Sequence, residues 1–171
     1  MITLMDRANQ TDYRKLVPSL AVTETIHNVE EAVWLPAWSQ TTGMLQQPVG
    51  AFEFRFAVIA LTLLVYGVVY YFARYDNRVA RYMMAGALVM ILFNVFVPHL
   101  AVTVILFRYA PGTISGILLN VPVCSYLLRR GVKEGIFGTK MIVFGAIGFA
   151  AVTGLLLPAL FTVGALVGNV I

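Results

Sequence analysis

Three stretches of this chain, residues 52–73, 79–108 and 139–165, are apolar throughout most of their length, with their charged residues gathered towards the ends. A helix rises 1.5 Å per residue, so about twenty residues cross a hydrocarbon core of about 30 Å. Each run reaches that length. Water-soluble domains carry about 25% charged residues, whereas 12% of this chain is charged and 60% is hydrophobic. The runs therefore read as transmembrane helices of a single domain, 1–171.

Two weaker runs complete the reading. Residues 112–128 are apolar but contain Asn120 and Pro122, and residues 16–35 hold Thr23, Glu24, His27, Asn28, Glu30 and Glu31. Basic residues gather on the cytoplasmic side of membrane proteins. With five spans and a cytoplasmic N-terminus, Arg7, Arg14, Lys15, Arg74, Arg78, Arg81, Arg129, Arg130, Lys133 and Lys140 all fall inside, which leaves only Arg55 and Arg108 of the twelve basic residues outside. Omitting the polar first span moves Arg7, Arg14 and Lys15 outside and spoils the asymmetry. The expected fold is an all-α five-helix transmembrane bundle, N-terminus cytoplasmic and C-terminus outside. Trp34 and Trp38 suit the outer aromatic belt.

The formal net charge of +4 is segregated by side, so it reads as orientation in a lipid bilayer and not as a nucleic-acid footprint. Cys124 stands alone, which excludes a disulfide within the chain. The first fifteen residues lack the apolar core of a signal peptide, so no cleavage is expected. Gly112-x-x-x-Gly116 and Gly164-x-x-x-Gly168 are small-residue ridges, which pack helices within the chain or join a homodimer.

The unusual element lies in the first span. In His27-Asn28-Val29-Glu30-Glu31 both carboxylates sit one helical turn beyond the histidine, and Glu24 sits one turn before it. An ionisable residue at the centre of a membrane helix costs roughly 2.5–3.5 kcal/mol. Such a stripe must face the bundle interior and meet donors, basic groups or a metal ion. Depth suggests the partners. His27 lies seven residues, about 10 Å, from Trp34, and His99 lies nine residues, about 13 Å, from Arg108. Both histidines, Glu30, Glu31, Glu53, Arg55 and Arg108 thus share the outer half. Pro98 leaves the Asn94 carbonyl without its helical donor, so a kink is expected beside Asn94 and His99.

The string HNVEE, followed by a hydrophobic bundle with Asn94, His99 and Tyr109-Ala110-Pro111-Gly112, resembles the HXXEE family of small, mostly bacterial integral membrane proteins. The resemblance covers most of the chain and points to His27, Glu30 and Glu31. It brings no activity with it.

Histidine and carboxylate ligands suit Zn, Fe or Mn. The favoured arrangement has His27, Glu31 and His99 as metal ligands and Glu30 as the catalytic general base. Asn94, Arg55 and Arg108 would bind the substrate, the arginines through an anionic group. The chemistry would be metal-assisted hydrolysis or transfer on a lipid-like or amphipathic substrate in the outer leaflet. Other readings use the same residues: a dinuclear carboxylate site with Glu24 and Glu53, a proton or ion relay in a transporter or acid–base enzyme, or a salt-bridged scaffold subunit. Cys124 reads as a buried small hydrophobe, and Glu53 as a carboxylate favouring a helix N-terminus.

Overall fold

The computed structural model describes residues 12–42 and 48–170. The start of the polar leader, including Asp6 and Arg7, lies outside these residues. Among the described residues the chain is all-helical, with no strand. A helical turn over 12–16 leads into α1 (Pro18–Ser39), followed by α2 (Ala51–Arg74), α3 (Arg78–Leu106), α4 (113–133) and α5 (Thr139–Gly168). Helices α2, α3 and α5 are long and apolar enough to cross a membrane. Helices α1 and α4 belong to the same bundle: α1 packs on α2 and α4, and α4 packs on α3.

Local chemistry sets the ends of these helices. The Asn77 side chain caps α3 by accepting from the Ala80 amide at 2.8 Å. Asp76, in the same turn, pairs with Arg81 at 2.8 Å and Arg14 at 3.0 Å. Those hydrogen bonds, Arg81 first, hold the Asp76 carboxyl below its ordinary value although partial burial opposes them. Helix α3 breaks where the sequence expects it. Val97 is extended, at φ −136° and ψ 109°, as the residue before a proline prefers.

The apolar core occupies the end of the bundle where α1 and α3 begin and α2 and α4 finish. There Tyr13, Leu20, Phe72, Met84, Leu88 and Leu127 are fully buried. Burial and the neighbouring Glu134 push the Tyr13 phenol up, and its hydroxyl donates to the Leu127 carbonyl at 3.1 Å. Helix α5 packs on α2 and α3 and buries only Gly145 and Gly164. Gly145 lies against Gly86 of α3: a Cβ on Gly86 would stand 2.2 Å from the Gly145 carbonyl oxygen. Backbone thus meets backbone at this crossing.

Both glycine ridges read in the sequence touch other helices of the same chain. Gly112 faces His99 and His27, Gly116 faces Val95, Gly164 faces Glu53 and Phe56, and Gly168 faces Phe52.

Candidate metal centre

Helix α1 places Leu20, Thr23, Glu24, His27, Asn28 and Glu31 on its buried side. The spacing of three and four residues makes this one continuous face, with apolar residues at its start and polar ones beyond. Val22, Ile26, Val29 and Val33 occupy the exposed side. The histidine and the second glutamate of HNVEE therefore point inward.

His99 meets this face from α3, just past the break at Val97. Its Nε2 lies 2.8 Å from Glu31 Oε1, and His27 Nε2 lies 3.7 Å from the same oxygen. Candidate ligand atoms of His27, Glu31 and His99 all fall within 4.8 Å of one another, and the three residues are buried. The imidazoles stand edge to face at 5.1 Å. Asn94 bridges them, its Nδ2 lying 3.2 Å from His99 Nε2 and 3.4 Å from His27 Nε2.

These contacts compete for protons. Nε2 of His99 needs a hydrogen to donate to Glu31 and a lone pair to accept from Asn94. It cannot satisfy both with one atom. A metal ion bound at about 2.0–2.2 Å by nitrogen and carboxylate oxygen sets tetrahedral ligands about 3.3 Å apart. The two distances from Glu31 Oε1 bracket that spacing, so the buried His–Glu–His group could hold a metal. Rotating the Asn94 amide would turn its oxygen towards the same point.

The neighbouring contacts fix the donor set. His27 Nδ1 lies 3.2 Å from Ser115 Oγ of α4. When the hydroxyl accepts from Nδ1–H, Nε2 is left with its lone pair for a ligand. Gly112 abuts both rings, at a backbone φ of +92°. A side chain there would enter the imidazoles, and the left-handed backbone favours glycine.

Glu30, read from the sequence as a general base, is occupied otherwise. Its Oε1 accepts from the Gly112 amide at 2.7 Å and from the Tyr109 hydroxyl, and its Oε2 accepts from the Ser115 amide at 3.0 Å. It fastens the start of α4 to α1 and so positions Ser115 and Gly112 against the histidines. Burial, followed by the Glu30 carboxylate, pushes the Tyr109 phenol up, which keeps its hydroxyl a donor at neutral pH. Tyr109, Gly112 and Ser115 are roles the residue pattern did not assign. The Tyr109-Ala110-Pro111-Gly112 string was the signal for the first two, and nothing in the pattern marked Ser115.

The cluster opens on a cavity of about 450 Å³ between α1, α2, α3 and α5, with Glu31, Asn94 and His99 on its wall. Neither Arg55 nor Arg108 lines it among the described residues. Both arginines are exposed, and Arg55 donates to the Ala32 carbonyl at 3.1 Å. Asn94, expected to bind substrate, faces the cavity and the histidines together. The four glutamates of the spans do not converge. Glu24 takes Asn120 Nδ2 at 2.8 Å, Glu30 binds α4, and Glu53 lies in the first turn of α2. The dinuclear arrangement therefore lacks its bridging carboxylates among the described residues.

The family profile described as "Protein of unknown function with HXXEE motif" matches residues 19–127. The chain belongs to the HXXEE family. It is 37% identical over 141 residues to "Uncharacterized protein YrkK" of Bacillus subtilis (strain 168), across 82% of this chain and 89% of the relative. No solved structure matches it. In this HXXEE protein the motif divides its labour. His27 and Glu31 enter the buried cluster, and Glu30 docks α4 beside it.

Proposed function

We propose that this HXXEE protein is a five-span bacterial membrane protein, N-terminus cytoplasmic, and a metal-dependent enzyme acting on an amphipathic substrate. His27, Glu31 and His99 hold a divalent ion, Zn, Fe or Mn, and the ion supplies a Lewis acid of the kind used in hydrolysis or group transfer. One observation carries the reading: three buried ligand residues from two helices converge, and two of them, Glu31 and His99, stand on the wall of a cavity large enough for a small molecule. Ser115 holds the His27 tautomer, Glu30 positions α4, and Asn94 orients both rings.

Lipid accounts for the exposed apolar surface. Large hydrophobic residues such as Leu63, Leu118, Phe144 and Leu155 are outward, and the proposed topology puts ten of the twelve basic residues on one side.

The test is elemental analysis of the purified, folded protein. Stoichiometric Zn, Fe or Mn is expected in the wild type, with loss in His27→Ala and Glu31→Ala at unchanged expression. A folded wild type without stoichiometric metal overturns the metal assignment. That result would favour a second reading, supported by the 2.8 Å contact between His99 and Glu31, in which the pair shares a proton for acid–base or proton-coupled work.

A further inference from the structure

The cavity contains an acidic group that the metal cluster does not use. Glu24 lies seven residues before Glu31 on the same face of α1, about 10 Å along the helix. It lines the cavity and is 8% exposed. Asn120 occupies Oε2, and no hydrogen bond among the described residues reaches Oε1. No lysine or arginine stands on the cavity wall among the described residues. Glu31 has His99 as its partner, whereas Glu24 has no cationic one. A buried carboxylate without a counter-charge is costly, and an incoming cation would remove that cost.

The remaining wall defines the ligand's other part. Leu61, Leu64, Phe149 and Leu157, from α2 and α5, turn apolar side chains into the chamber. A ligand filling it is polar along α1 and hydrocarbon along α2 and α5.

We infer that the cavity takes an amphipathic amine, with Glu24 receiving the protonated nitrogen. The inference rests on the proposed function for the use of the cavity as a ligand chamber. It reverses the polarity that Arg55 and Arg108 suggested in the sequence. Glu24 is then a specificity residue, and a ligand polar group two turns further along α1 would meet the metal cluster.

The experiment measures binding of decylamine, decanol and decanoate to the full chain in detergent, with and without a chelator. Wild type should bind the amine about tenfold or more tightly than the carboxylate under both conditions, since charge-assisted hydrogen bonds are the strong ones. In Glu24→Gln, which keeps an acceptor for Asn120, the preference should fall to about threefold or less. Glu24→Asp should retain it. Thermal melts without ligand check that both variants fold. Equal binding of amine and carboxylate by wild type, or an undiminished preference in folded Glu24→Gln, overturns the inference. An amine preference in a protein that binds no metal sinks the metal assignment alone. Bound metal without the preference sinks the amine assignment alone.

Discussion

Gly112→Ala separates packing at the His–Glu–His cluster from ordinary backbone strain. The added Cβ would stand 2.7 Å from His99 Cε1, 2.8 Å from His99 Nδ1 and 2.9 Å from His27 Cε1. Both rings must shift, and with them the Nε2 atoms that face Glu31. An alanine also dislikes the φ of +92° at this position, at about 1–2 kcal/mol. Overpacking in a filled site adds about 1–3 kcal/mol, so the total loss is about 2–5 kcal/mol. Gly135 supplies the control. Its φ is +70°, yet nothing lies within 4 Å of a Cβ built there, so Gly135→Ala pays only the backbone component. Thermal melts in detergent should place Gly112→Ala well below Gly135→Ala, and metal titration should show affinity lost only in Gly112→Ala. The amide that Glu30 binds survives in both. Equal melting losses with undiminished metal binding would show that Gly112 does not shape the cluster.

Ser115→Ala removes the partner of His27 Nδ1 and leaves the fold intact. Metal affinity should fall about 10–100-fold with little change in melting, and unchanged affinity would dissociate Ser115 from the site. Gly86→Ala should do the opposite, because its Cβ would meet the Gly145 carbonyl oxygen at 2.2 Å. Prising α3 from α5 should cost about 1–3 kcal/mol, read as a lower melting temperature; a wild-type melt would deny that the crossing is tight. The Asp76 carboxyl has a depressed native value, so the unfolded chain binds its proton more readily. Its contribution is complete above the unfolded value of about 4 and is lost as pH falls below it. Asp76→Asn should flatten that acid limb of the stability profile, and an unaltered limb would assign it to other groups.

Most of the bundle was legible because its cause is local. The long apolar runs and Pro98 each act through their own neighbours, and the helices run and break close to where those residues require. The His27, Glu31 and His99 group was legible for a related reason. Two members share a helix face, and the third was the remaining histidine at a compatible depth. The readings that changed concern which of several donors reaches a charged group. Glu30 was read as a general base and Arg55 as a group for an anionic substrate. The backbone amides of Gly112 and Ser115 instead take the carboxylate, and a carbonyl takes the guanidinium. Main-chain donors leave no trace in residue identity, because every residue but proline carries one.

Glu30 and Glu31 accomplish different things for the same reason. If Glu30 were the base, its carboxylate would have to be free at the metal. Three donors hold it at the start of α4 instead, and the same amides lie beside the residues that touch the histidines. Removing the Glu30 charge therefore loosens the His–Glu–His cluster from outside it. Glu31 acts from within, because its oxygen lies where both Nε2 atoms converge. The adjacent glutamates are chemically identical and functionally distinct, since a helix turns about 100° between neighbours. One residue of rotation sends Glu31 to the cavity and Glu30 to the seam with α4.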